Sequence, residues 1–183
     1  MRVLVLRGSP RKNGNSAILT NYFLKGLEKS SSHQIDDYFI NELNISPCQG
    51  CLFCATSKNH ECKIKDDMQA INSAYHNADL VVFATPMYWG YMTAQLKIVM
   101  DRMEALAWES FYDKTLVIII TYRHHFESTV GFFERIAPYF RLKLNFVICC
   151  TYDKEKDLDL PVLSLKEKLE EAYQLGLLLG KQV

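Results

Sequence analysis

The 183-residue chain predicts a single α/β domain spanning residues 1–183, built on a parallel sheet with helices on both faces. Three observations predict it. Short apolar runs recur along the chain, and amphipathic stretches of helix length separate them. The runs are also continuous rather than alternating, as strands covered on both faces require. Apolar residues make up 49% and charged residues 23%, enough for one full core.

The elements follow in order. Val3–Leu6 is the first strand, and Ser16–Lys29 follows as a helix with Ile18, Leu19, Tyr22, Phe23 and Leu27 on one face. His33–Ile40 alternates and reads as an edge strand. A helix over Asp66–Asn77 precedes the third strand, Leu80–Ala84. Met92–Trp108 reads as one helix, with Leu96, Val99, Met100 and Met103 inward. The strands Leu116–Thr121 and Leu144–Cys150 alternate with helices over Phe126–Phe140 and Leu163–Gly180. Five strands so connected predict a doubly wound, flavodoxin-like five-stranded parallel sheet of order 2-1-3-4-5, with helices on both faces. Cys149 and Cys150 close an apolar strand and read as core.

Lysine plus arginine equals aspartate plus glutamate, 21 against 21, so neither nucleic acid nor an acidic membrane is an expected partner. The apolar start is too short for a signal peptide, and no later stretch is long enough to span a bilayer. A cytoplasmic location is expected, where clustered cysteines mean metal or redox chemistry more often than disulfides.

Three loops carry chemistry. After the first strand comes Gly8-Ser-Pro-Arg-Lys-Asn-Gly14-Asn-Ser16, then a helix. Small and hydroxyl residues let backbone amides converge on an anion at a helix N-terminus, with Ser9, Asn15 and Ser16 as donors and Arg11 as the neutralising charge. A Walker loop is excluded, because five residues separate the glycines and Asn15 follows. Only Gly8 and Gly14 are present, so a dinucleotide fingerprint is excluded too. Gly8-Ser9 at the strand's end also leaves no carboxylate for a phosphoacceptor domain.

Residues 48–62 hold four of the six cysteines as C-x2-C-x2-C-x7-C. Cys48, Cys51, Cys54 and Cys62 could hold a [4Fe–4S] cluster or a zinc ion, or stand as thiols. His60 lies inside this loop as a weaker ligand candidate.

The third loop, Ala84-Thr-Pro-Met-Tyr-Trp-Gly-Tyr91, follows the third strand at the switch point where open α/β sheets bind ligands. Pro86, Met87, Tyr88, Trp89 and Gly90 offer a flat apolar wall and backbone donors to a planar ring. A phosphate turn and an aromatic wall at adjacent strand ends suit FMN.

Together, Gly8-Ser-Pro-Arg-x-x-Gly-Asn-Ser16, the cysteine loop, Thr85-Pro-x-Tyr-Trp89 and Leu96-Lys97-x-x-x-Asp101-Arg102 resemble the NAD(P)H-dependent FMN reductases, and among them the iron–sulfur flavoprotein branch. The resemblance runs to about residue 104. It implies FMN held by Ser9, Arg11, Asn15 and Ser16 at the phosphate and by residues 86–90 at the ring. It also implies a cluster on the four cysteines, and electron transfer through a homodimer or homotetramer. Lys97, Asp101 and Arg102 would be structural, with reach to a neighbouring subunit. The chain departs from the pattern twice. Thr93-Ala-Gln stands where a proline is usual, and Thr121-Tyr-Arg-His-His-Phe126 stands where glycines border the flavin.

The expected function is an FMN-dependent oxidoreductase, fed by NAD(P)H or a ferredoxin and passing electrons to a quinone or other small molecule. No Ser-His-Asp or paired-carboxylate constellation appears, so no catalytic side chain is assigned. The alternatives are a non-enzymatic redox-sensing or metal-binding module and a plain electron carrier.

Overall fold

A computed structural model describes residues 1–108 and 110–181. The first half runs β1 (Arg2–Arg7), α1 (Asn15–Ser30), β2 (Gln34–Phe39), α2 (Phe53–Thr56), α3 (Met68–Asn77), β3 (Leu80–Tyr88), β4 (Tyr91–Met92) and α4 (Ala94–Arg102). The second runs β5 (Thr115–Tyr122), α5 (Glu127–Phe140), β6 (Lys143–Cys150), β7 (Tyr152–Asp153), β8 (Leu158–Asp159) and α6 (Lys166–Gly180).

The main sheet is α/β and flavodoxin-like, but six-stranded rather than five. Its parallel path is β2-β1-β3-β5-β6, and β4 pairs antiparallel with the end of β3. The inserted β4 therefore changes both the count and the order expected. Its cause is the turn Trp89-Gly90, whose φ values of +50° and +74° fold the chain back as a two-residue hairpin. β3 accordingly extends four residues past the expected end, and Pro86 sits opposite Thr121 near the end of its ladder. β7 and β8 form a separate small hairpin.

Strand pleating divides the core. Leu4, Leu6, Val81, Phe83, Ile118 and Ile120 face α3, α4 and α5. Val3, Val5, Val82, Val117 and Ile119 face α1 and α6. Both sides of the central strands are apolar, which explains their continuous runs.

The helix expected over Met92–Trp108 is three elements: the end of β4, α4, and a tight turn at Met103–Leu106. The apolar residues of this stretch divide: Met92, Met103 and Leu106 are buried in the chain's own core, while Trp108 is exposed. Among the described residues, no helix is long and apolar enough to cross a membrane.

Candidate functional site

The site begins where β1 ends. The Gly8 N–H donates to the Ala84 carbonyl at 2.8 Å, tying β1 to β3. A Cβ at Gly8 would lie 2.8 Å from Leu96 Cβ and 3.2 Å from the Ala84 carbonyl, so only glycine admits α4 this closely. Beyond it the chain tightens, with Ser9 Oγ accepting the Arg11 N–H at 3.0 Å and the Gly14 N–H donating to the Arg11 carbonyl at 3.1 Å. α1 then starts with no side-chain cap and no acidic residue in its first turn. Its leading N–H groups and dipole are left to an outside anion.

Thr93 braces this turn from α4. Its hydroxyl donates to the Gly8 carbonyl at 2.6 Å and accepts the Leu96 N–H at 3.3 Å, while its own N–H donates to Thr85 Oγ1 at 3.1 Å. The residue standing in place of the usual proline thus caps α4 and fixes the end of β1. Nothing in the sequence pattern beyond N-cap preference signals that second role.

The carboxyl ends of β1, β3, β5 and β6 border a cavity of about 610 Å³. Ser9, Arg11, Asn15, Ser16, Pro86, Met87 and Tyr88 all line it, so seven of the nine expected cofactor residues come together. Trp89 and Gly90 do not. They form the hairpin tip, where Trp89 stands fully exposed. Asn15 reaches the cavity, but its amide is engaged elsewhere: Nδ2 donates to the Leu160 carbonyl at 3.3 Å and Oδ1 accepts the Val162 N–H at 3.1 Å.

The segment after β5 joins the site although it lacks glycines. Thr121, Tyr122 and Arg123 form one wall, with Thr151 and Asp159 beside them. Arg123 pairs with Asp159 at 3.0 Å and lies over the Tyr152 ring, 4.6 Å from its centroid. Burial first, then the neighbouring Cys150, raises Tyr122 above the ordinary tyrosine range, keeping its hydroxyl neutral. Sequence reasoning placed the segment from Thr121 where such a wall belongs, but missed Thr151 and Asp159, which other strand ends contribute. His124 and His125 are exposed, as expected of a surface pair.

The cysteine loop is separate, and none of its cysteines lines the cavity. It packs beside the turn after α4, where the His60 ring stacks on Trp108 at 5.3 Å and His60 Nδ1 lies 2.9 Å from the Cys54 carbonyl oxygen. Burial, then the Glu104 carboxylate, pushes the Cys54 thiol above its ordinary range, and Cys62 is near enough to add to that push. Cys48 and Cys51 are exposed. The donor set suits a cluster in kind, yet among the described residues no three metal-ligating side chains are gathered. Lys97 and Asp101 form the expected i, i+4 ion pair. Arg102 does not reach outward: it is 2% exposed and grips Asp66 within its own chain.

Residues 1–130 match the family model described as NADPH-dependent FMN reductase. The chain belongs to the NADPH-dependent FMN reductase family. Within it, the chain is similar to an iron-sulfur flavoprotein of Archaeoglobus fulgidus, 38% identical over 104 residues, covering 57% of this chain and 51% of the relative. A second iron-sulfur flavoprotein, from Clostridioides difficile, is 31% identical over 126 residues, covering 68% and 55%. The chain thus spans about half the length of the curated relatives it matches. Among solved structures, an FMN-dependent NADH-azoreductase of Bacillus anthracis in complex with FMN superposes with a TM-score of 0.70 at 11% identity, covering 97% of this chain and 99% of that one. An NAD(P)H:quinone oxidoreductase from Methanothermobacter marburgensis gives 0.67 at 17% identity, covering 98% and 96%. At such identities these two support the family's fold.

Proposed function

We propose that the cavity binds FMN and that the chain is an FMN-dependent oxidoreductase, drawing on NAD(P)H or a reduced ferredoxin and delivering to a quinone or other small acceptor. One observation carries this reading: a phosphate cradle and a flat apolar wall open onto the same cavity. When bound, FMN supplies hydride acceptance and the release of electrons singly or in pairs.

The chain's own residues do the rest. The uncapped start of α1, with Ser9 and Ser16, binds the phosphate, and Arg11 offsets its charge. Pro86, Met87 and Tyr88 orient the ring, while the wall at Thr121–Arg123 faces the same space. No side chain need act as a nucleophile. Tyr88 is half-exposed, in keeping with a ring edge open to donor and acceptor.

The cysteine spacing and the names of the curated relatives support a [4Fe–4S] cluster on Cys48, Cys51, Cys54 and Cys62 once the loop has closed. A homodimer or homotetramer is supported by the exposed Tyr88-Trp89 edge beside the cavity mouth.

Ser16→Glu tests the phosphate assignment, because it sets a carboxylate against the anion in a buried site. FMN affinity should fall at least about a hundredfold, the scale of an uncompensated charge contact. Wild-type affinity in that variant would place the phosphate elsewhere. Steady-state oxidation of NADPH, NADH or reduced ferredoxin with a quinone or dye separates the enzyme from a sensor, which binds FMN without turnover.

A further inference from the structure

Both ends of the cysteine loop are held by one buried side chain. Arg102 Nη1 donates to the Ser46 carbonyl at 2.7 Å, and Nη2 donates to the Ile64 carbonyl at 3.3 Å. The same fork grips Asp66 at 2.7 and 3.0 Å. Asp66 in turn accepts the Ser46 N–H at 2.9 Å and the Met68 N–H at 3.1 Å. Gln69 completes the clasp, donating to the Ile64 carbonyl and accepting the Asp66 N–H, each at 2.6 Å. Residues 47–63, and with them all four cysteines, hang from this staple.

The thiols within the loop are not equivalent. Cys54 and Cys62 are half-buried, and Cys54 lies against His60, whose Nδ1 is 2.9 Å from the Cys54 carbonyl oxygen. Cys48 and Cys51 occupy an exposed arm punctuated by left-handed residues, Gly50 at φ +61° and Leu52 at φ +55°. A Cβ on Gly50 would meet nothing within 4 Å, so the arm has room to turn. The Arg102 side chain is only 1% exposed, yet its Nε–H has no partner among the described residues.

We infer that Arg102, clasped to Asp66, is the positioning residue of the cysteine site: by pinning both ends of residues 47–63 it presents the half-buried Cys54 and Cys62, while the exposed Cys48 and Cys51 close over an incoming iron–sulfur unit. The inference rests on the reading of the loop as a cluster site and adds to it the residue that anchors the loop.

The test uses full-length, FMN-loaded protein under anaerobic conditions, with Arg102→Met and the near-isosteric Asp66→Asn beside the wild type. Iron and sulfide per FMN are measured after reconstitution with ferrous iron and sulfide. Proteolysis within residues 47–63 is mapped before any iron is added. Wild-type cleavage should be confined to the arm at 48–53 and disappear on loading. In both variants cleavage should spread to 54–63 and run about tenfold faster, as expected when a local closing contact is lost. The iron-to-FMN ratio should fall severalfold with FMN retained. Wild-type iron content in either variant, or an unchanged cleavage pattern, overturns the inference. So does loss of FMN in step with iron in both, which would make the pair a general fold element. If the wild type itself takes no iron, the cluster reading fails, and the staple is judged on the cleavage pattern alone.

Discussion

One hydroxyl, that of Thr93, ties the turn after β1 to α4 by donating to Gly8 and accepting from Leu96. Thr93→Val keeps the shape and removes both bonds, leaving the Gly8 carbonyl short of its buried partner. The cost should be about 1–3 kcal/mol, the usual penalty for such a group. Urea unfolding of the apo chain measures it, and FMN affinity should weaken in parallel. A variant as stable as the wild type would mean that the turn holds itself. Cys149 makes a contrasting case. Burial pushes its thiol up to about 11, so only about a thousandth is thiolate at pH 8. Iodoacetamide should leave Cys149 unmodified in the folded protein while alkylating the exposed Cys48 and Cys51, and mass spectrometry with and without denaturant reads the difference. Here sequence and structure agree, because a thiol inside a continuous apolar run has nowhere to go but the core. For Asn15 they part. Its residue type suited a phosphate donor, but its amide turned to Leu160 and Val162, a pairing across 145 residues that local sequence cannot display.

Among the elements, α1 and α6 pack with unusually little separation. A Cβ on Gly26 would fall 1.9 Å from the Tyr173 carbonyl oxygen, and one on Gly176 would fall 2.0 Å from that of Phe23. The obstacles are backbone atoms, so neither helix can yield by a rotamer change. Gly26→Ala should therefore destabilise by about 3 kcal/mol or more, the upper range for overpacking, despite alanine's better helix propensity. Thermal unfolding would show a fall in Tm; a rise would mean that the helices separate freely. The helices themselves were plain from their 3.6-residue pattern. The region after β3 was not. Its apolar residues continue through Met92–Trp108 without a break in pattern, and the division depends on two positive φ values and one threonine cap. Such local geometry leaves almost no trace in hydrophobic periodicity.

At the scale of the molecule, the acid response should trace to the Arg102–Asp66 pair. Burial alone would raise the Asp66 carboxyl, but the Arg102 fork and the Ser46 and Met68 N–H groups hold it below the usual carboxylate range. A carboxyl lower in the folded chain than in the unfolded one contributes stability that is complete above about pH 4 and lost as pH falls through the folded value. Asp66→Asn should cost about 3–5 kcal/mol at pH 7, typical of breaking a buried pair. Urea titrations at pH 7 and pH 3 should show that gap narrowing at the lower pH; a constant gap would assign the stability to packing. Asp113 and Asp153 are also lowered, but their partners are surface pairs and contribute little. The parallel layout and the tight turn after β1 were legible from the strand runs and the glycine-serine segment, since both are written locally. Of the far wall only the segment from Thr121 had a local signal; Thr151 and Asp159 had none, since they join it only after β5 and β6 are laid side by side.

That far wall has a consequence for the order of events in synthesis. The turn at residues 8–16 leaves the ribosome well before its partners: Asn15 is not fixed until Leu160 and Val162 have emerged, and Thr151 and Asp159 come nearly as late. Contacts so distant in sequence form only after the intervening chain has folded. A nascent chain stalled near residue 130 carries the whole family-matched region but an open-sided pocket, so the proposed flavin site is closed only by the later-emerging residues 151–162.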